Sequence, residues 1–216
     1  MRIIKYFNLL NGKKIILIKN LLKLPICILF LNFSVPFALA IEEKEAISYI
    51  EQIGQQAIDI LKTPIEDIST REILFESMWN SRFDKKLIHR AVLGKAARGA
   101  TESELIRFGK AFDEHIIKIY ASQLGVYSDQ LFIVDKAMKR DNRDIIVLSH
   151  IEHATAPPLR IDWRLRDRGE GPRVIDIAIE GVSLLATKRA DFSSTIKNGG
   201  LHSLIFDLEE KNAQTD

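Results

Sequence analysis

The chain has 216 residues, with 31 Lys+Arg against 29 Asp+Glu and a single cysteine. The small net charge of +2 hides an asymmetry: residues 1–40 hold Arg2, Lys5, Lys13, Lys14, Lys19 and Lys23 and no acid, whereas residues 41–216 carry 25 Lys+Arg against 29 Asp+Glu, net −4. That balance excludes a whole-protein electrostatic case for nucleic-acid binding, and with Cys27 in the first segment the remainder has neither a disulfide nor a thiol nucleophile.

The basic start is followed by an apolar run from Leu24 through Phe37 and by Ala38-Leu39-Ala40, the small-x-small pattern of a signal-peptidase site. Residues 1–40 are therefore expected to be a signal peptide cleaved near Ala40, leaving residues 41–216 as one domain with an ordinary core. Pro25, Asn32, Ser34 and Pro36 interrupt the run, which is shorter than the roughly 20 apolar residues of a spanning helix. No stable membrane insertion is expected.

From Glu42 to Lys62 the residues Ala46, Ile47, Ile50, Ile53, Ala57, Ile58 and Leu61 recur at helical spacing. Thr63-Pro64-Ile65-Glu66 reads as a cap, a first-turn proline and a capping-box glutamate for a second helix running toward Trp79. Asp84 is placed to cap a short third helix ending at Gly94. Thr101 with Glu104 forms a capping box for the longest helix, whose stripe is Leu105, Phe108, Phe112, His115, Ile116, Ile119, Tyr120 and Leu124, with Gly125 as its stop. Asp113, Glu114 and Lys118 fall on its polar face and read as solvated.

After residue 130 the period becomes two. Leu131–Met138, Arg143–Ala154, Leu159–Arg166 and Arg173–Val182 read as four strands joined by short turns, hence an antiparallel meander. The third alternates most cleanly, with Leu159, Ile161, Trp163 and Leu165 on one face and Arg160, Asp162, Arg164 and Arg166 on the other. The last strand is read as passing through Glu180-Gly181-Val182-Ser183 into a helix that stops at Asn198-Gly199-Gly200, before an amphipathic tail with Leu201, Leu204, Ile205 and Leu208.

Little in these elements suggests catalysis. On a strand His150 and Glu152 share a face while His153 points away, so the three do not converge on a metal. Gly169-Glu170-Gly171 is a turn with no Lys-Ser/Thr after it. Asp162 and Asp176 are candidate general bases on an enzymatic reading, but their positions opposite the apolar faces favour exposure. The stripe Arg160, Arg164, Arg166 supports two readings: a charged face that blocks edge association, or a docking surface for an acidic partner or anionic headgroups.

The expected architecture is α+β, with helices packed on one face of a curved four-stranded antiparallel sheet, as an NTF2-like cone with an apolar cavity. Its candidate lining is Phe75, Leu87, Val92, Leu105, Phe108, Phe112, Ile116 and Tyr120 from helices, with Phe132, Val134, Leu148, Ile161, Trp163, Ile177, Ile179 and Val182 from the strand region. Periodicity alone does not separate a hollow from a filled core.

Four stretches carry a resemblance to a known family. They are Glu180–Thr187 (E-G-V-S-L-x-x-T) with Asp191-Phe192-Ser193-Ser194 and the Gly199-Gly200 turn and tail; Leu87–Gly94, ending in V-L-G; the Thr101–Tyr120 helix with Phe108, Phe112 and Tyr120; and the Pro158–Leu165 strand around Asp162-Trp163. Together, over roughly residues 70–211, they resemble the MlaC family. The resemblance implies a periplasmic, non-enzymatic carrier that needs no cofactor or metal, and implies that the lining residues bind phospholipid acyl chains. It further implies shuttling between an outer-membrane lipoprotein–porin complex and an inner-membrane ABC transporter with an MCE-domain subunit. A hopanoid or other lipid cargo, and a small-molecule enzyme on the same cone, are the alternatives.

Overall fold

The computed structural model describes residues 41–123, 130–152 and 156–214; the expected leader and the positions Leu124, Gly125 and His153 lie outside them. Among the described residues the order is α1 (Glu43–Leu61), α2 (Ile68–Arg82), α3 (Lys85–Leu93), a 3₁₀ turn (Ala96–Arg98), α4 (Glu102–Gln123), β1 (Leu131–Lys139), β2 (Asp144–Glu152), β3 (Leu159–Asp167), β4 (Pro172–Ile179), β5 (Val182–Ser183) and α5 (Leu184–Gln214).

Side-chain caps set several of these boundaries. Asp84 Oδ1 accepts the Leu87 N–H at 3.0 Å to open α3, and Gly94, at φ 57°, closes it. Ahead of α4 the capping box is reciprocal: Thr101 N–H donates to Glu104 Oε2 at 2.8 Å and Glu104 N–H to Thr101 Oγ1 at 3.2 Å. The cap of α2 differs from expectation. Asp67, not Thr63, accepts the Thr70 N–H at 3.2 Å, because Pro64 opens a turn closed by the Asp67 N–H on the Pro64 carbonyl.

The sheet corrects the expected cone. It has five strands rather than four, in the linear order β1-β2-β3-β4-β5, all antiparallel. β1 and β5 stand at opposite edges, so the sheet stays open. The fifth strand exists because Glu180 (φ 50°) and Gly181 (φ 79°) make a two-residue turn with both φ angles positive, the type I′ pattern. It reverses the chain and pairs Ile179 with Val182 and Ala178 with Ser183. The strand does not run through Gly181 into the helix. Extra residues at Asp135 and Ile175 bulge β1 and β4.

Register decides which side chains meet the helices. Trp163 pairs with Val147 and Ile177, and Ile161 with Ser149 and Ile179, on the face toward the helices. The opposite face sets Arg164 beside Ile146 and Asp176, and Asp162 beside Leu148 and Ala178. Behind the helices, Phe108, Phe112 and Phe192 form a buried cluster, with ring centroids 5.5 Å apart for Phe108–Phe112 and 6.1 Å for Phe112–Phe192.

α1 reaches β1 through Gly54, where an added Cβ would overlap the Phe132 ring. Gly54→Ala gains about 1 kcal/mol of helix propensity but overpacks a closed contact at a cost of about 1–3 kcal/mol. The variant is expected to melt lower than the wild type, and Phe132→Leu in the same chain to restore most of the loss.

α5 bends at Gly200, whose φ 73°, ψ −175° is a conformation essentially reserved for glycine. Two helical limbs therefore meet at Gly200, and the expected stop at Asn198-Gly199-Gly200 falls at their junction. Past it Leu204, Ile205 and Leu208 are buried, Asn212 Nδ2 donates to the Ala111 carbonyl at 3.0 Å, and Lys118 Nζ donates to the Asn212 carbonyl at 2.7 Å. Lys118 is therefore buried between α4 and α5, not solvated.

Candidate functional site: an apolar cavity between helices and sheet

A cavity of about 250 Å³ lies between the helix-facing side of the sheet and the helices. α1 contributes Ile53, Gly54, Ala57, Ile58 and Leu61; α2 and its end Phe75, Met78, Trp79 and Phe83; α3 Ile88 and Val92; α4 Phe112, Ile116 and Tyr120. The strands add Phe132, Ile151, Ile161, Trp163, Ile175, Ile177 and Ile179, and α5 adds Leu184 and Leu185. Asp176 and Lys188 are the charged residues on its border.

The N–H groups of its two indoles are engaged with protein partners. Trp163 Nε1 donates to Ser149 Oγ at 2.9 Å, and that hydroxyl donates to the Ile161 carbonyl at 2.8 Å. Trp79 Nε1 donates to Asp113 Oδ1 at 2.9 Å. What the two indoles present to the cavity is apolar ring surface. Phe75 and Tyr120 stack with centroids 6.0 Å apart, and burial raises the Tyr120 hydroxyl above its ordinary pKa.

Of the residues expected to line a cavity, Phe75, Val92, Phe112, Ile116, Tyr120, Phe132, Ile161, Trp163, Ile177 and Ile179 border this one. Leu87, Leu105, Phe108, Val134, Leu148 and Val182 do not. Phe108 is buried in the aromatic cluster behind the wall, Leu148 pairs with Asp162 on the outer sheet face, and Val182 is left exposed by the hairpin. Sequence reading missed Met78 and Trp79, although they continue the Phe75 stripe at i+3 and i+4.

Asp113 underpins this wall rather than facing solvent. It also takes His89 Nε2 at 2.7 Å and Lys85 Nζ at 3.0 Å, joining α2, α3 and α4, while the His89 ring lies edge-on to Phe112. Gly109 makes room, since a Cβ there would stand 2.9 Å from the His89 ring. Burial alone would raise the Asp113 carboxyl; His89, Trp79 and Lys85 outweigh it and hold it below the ordinary value.

The folded carboxyl is thus depressed, so its stabilisation is complete above the unfolded pKa of about 3.9 and is lost as pH falls through the folded value. Asp113→Ala is expected to cost about 2–4 kcal/mol at pH 7. Urea unfolding of both proteins from pH 7 down to pH 2 should show that gap shrinking through the acid range.

The outer-face arginines are all partnered within the chain. Arg160 Nε lies 2.9 Å from Asp162 Oδ1, Arg166 Nε lies 2.5 Å from Asp144 Oδ1, and Arg164 Nε lies 2.8 Å from Asp144 Oδ2. The Asp144 side chain is fully buried. Desolvation would raise its carboxyl, but Arg166 and Arg164 overcome this and lower it. Asp176 is likewise engaged: its oxygens accept Ser183 Oγ–H at 2.6 Å and Leu185 N–H at 3.2 Å, capping α5. His150 pairs with Asp135 at 3.1 Å on the outer face. Among the described residues no group of three or more His, Cys, Asp or Glu could hold a metal ion.

A chamber walled by aliphatic and aromatic side chains, with both indole N–H groups and the Asp176 carboxylate tied into the scaffold, has the lining of a site for an apolar molecule. The MlaC family, described as "MlaC protein", matches residues 51–210. A similar solved structure is the phospholipid-binding protein from Ralstonia solanacearum in complex with a phospholipid, 22% identical, with a TM-score of 0.68 over 79% of this chain and 98% of that one. At that identity the likeness establishes the fold.

The chain belongs to the MlaC family. Membership makes it a periplasmic, non-catalytic lipid-binding carrier.

Proposed function

We propose that the cargo is a phospholipid whose acyl chains enter the cavity, and that the protein carries it across the periplasm between an outer-membrane lipoprotein–porin complex and an inner-membrane ABC transporter with an MCE-domain subunit. The observation that carries the reading is the continuous apolar wall running from Ile53 and Ala57 through Phe75, Trp79 and Ile116 to Trp163 and Ile177. The phospholipid in the Ralstonia relative supports the same cargo class.

The physics fits. A diacyl lipid exposes on the order of 30 methylenes, each costing about 0.8 kcal/mol in water, so free passage would cost on the order of 20 kcal/mol. A cavity of about 250 Å³ is smaller than the roughly 300–1,000 Å³ of small-ligand pockets. Two full chains therefore require the helical wall to part from the sheet.

Mass spectrometry of an organic extract of the purified protein tests the reading. Diacyl phospholipid is the expected content, a polycyclic lipid would replace the cargo class, and an empty extract from protein that also fails to take up phospholipid in vitro would refute it.

Partner docking through Arg160, Arg164 and Arg166 belongs to the same proposal. Reversing Arg164 or Arg166 would strip the buried Asp144 of a partner, so docking is tested at the more exposed Arg160. Arg160→Ala should weaken capture by one membrane complex while leaving lipid content unchanged; equal capture by both complexes counts against it.

A further inference from the structure

We infer that Lys188 is the anion-recognising residue of the cavity, pairing with the phosphate of a lipid headgroup while the apolar wall holds the tails. The inference rests on the lipid-binding reading above and adds a headgroup subsite to it.

Three observations converge on this residue. Lys188 stands one helical turn past Leu184 and Leu185 on α5, and all three border the cavity. The stripe continues through Phe192, packed against Phe108 and Phe112, so on its cavity side the Lys188 stem lies in line with Leu184, Leu185 and Phe192. With its side chain 23% exposed, Lys188 spans from the apolar wall to solvent.

Its pairing within the protein is weak. Asp191 Oδ2, the carboxylate that bridges it, is 4.0 Å away on a half-exposed side chain. Asp176, the other charged residue on the border, has both oxygens occupied by Ser183 and Leu185. His115 on α4 is held below its ordinary pKa first by burial and then by Lys188 and Lys211, which places it within electrostatic reach of Lys188.

A phosphate ester at this rim would gain a charge-assisted hydrogen bond in partly desolvated surroundings, and its tails would continue from that point along Leu185 and Ile177. The recognised chemistry is a phosphate group, from either a lipid headgroup or free phosphate. We commit to the headgroup, because the ammonium borders a space that only an apolar extension fills.

The test uses quenching of Trp79 and Trp163, both in the cavity wall, by brominated-chain dioleoylphosphatidylglycerol and by the matching diacylglycerol, which lacks the phosphate. Wild-type protein is expected to prefer the phospholipid. Lys188→Met should lose about tenfold in phospholipid affinity, the scale of one charge-assisted hydrogen bond, with diacylglycerol binding unchanged, and Lys188→Arg should restore the preference. Millimolar inorganic phosphate should not displace the phospholipid.

Retention of the preference in Lys188→Met overturns the inference. Equal loss for both lipids, the signature of a merely packed lysine stem, also overturns it, as does displacement by inorganic phosphate. If neither lipid quenches wild-type protein, the lipid-binding reading itself has failed, a result distinct from any Lys188 outcome.

Discussion

Replacing Arg71 with leucine is expected to lower the unfolding free energy by about 3–5 kcal/mol. Arg71 rises from α2 and is fully buried. Its Nε donates to the Thr63 carbonyl at 3.0 Å, its Nη2 to the Leu61 carbonyl at 3.2 Å and its Nη1 to the Ala121 carbonyl at 3.3 Å. One guanidinium thus serves the carboxyl ends of α1 and α4, where helical carbonyls lack intrahelical donors and partial negative charge accumulates. Leucine fills much of the volume and leaves those oxygens buried without a donor, at about 1–3 kcal/mol each. In a domain of this size the loss corresponds to a fall in Tm of roughly 10 °C. Lysine keeps the charge but not the planar fork, so Arg71→Lys should fall between. A leucine variant within about 1 kcal/mol of wild type in urea unfolding would remove Arg71 from its role as a double cap.

Ala57→Trp is expected to abolish lipid uptake while the fold survives. Ala57 lies on the cavity face of α1 between Gly54 and Leu61, and the void of about 250 Å³ receives the indole with little displacement of neighbours. Stability should stay within about 1 kcal/mol of wild type. If the ring displaces on the order of six methylenes, the lost burial is about 5 kcal/mol, more than a thousandfold in affinity. Unchanged phospholipid binding by a folded Ala57→Trp protein would place the cargo elsewhere.

The parts of this molecule that follow local rules were legible in its sequence. Asp84 with Gly94, and Thr101 with Glu104, bound α3 and α4 as capping chemistry dictates. The clean alternation of β3 correctly put Ile161 and Trp163 on the helix side. Leu148 escaped because β2 is apolar on both faces (Ile145, Ile146, Val147 and Leu148 in succession), and only cross-strand register tells one face from the other. The hairpin to β5 escaped because one of its two positive-φ residues is Glu180, not the Asn or Asp that announces such a turn.

Arg71 and Lys188 escaped for one shared reason. Each is a cation at a core-facing helical position, Arg71 between Ile68 and Phe75 and Lys188 between Leu185 and Phe192. Pattern reading assigns charge to the surface, so a charge at an interior phase of the helix is the very signal it discards. Asp113 shows the converse: it lies on the polar face of α4, yet α2 and α3 cover that face.

The bend at Gly200 has a consequence for how this chain can vary. α5 uses its first limb to edge the cavity and its second to clasp α4, and the bend fixes where one task hands over to the other. Each residue inserted or deleted between Leu184 and Gly199 turns everything on one side by about 100°, so the cavity-edging Leu184 and Leu185 and the buried Leu204, Ile205 and Leu208 could not all keep their bearings. Relatives should therefore tolerate length changes at the Arg168–Gly171 turn or beyond Gln214, while the count of residues from the type I′ turn to the bend stays fixed.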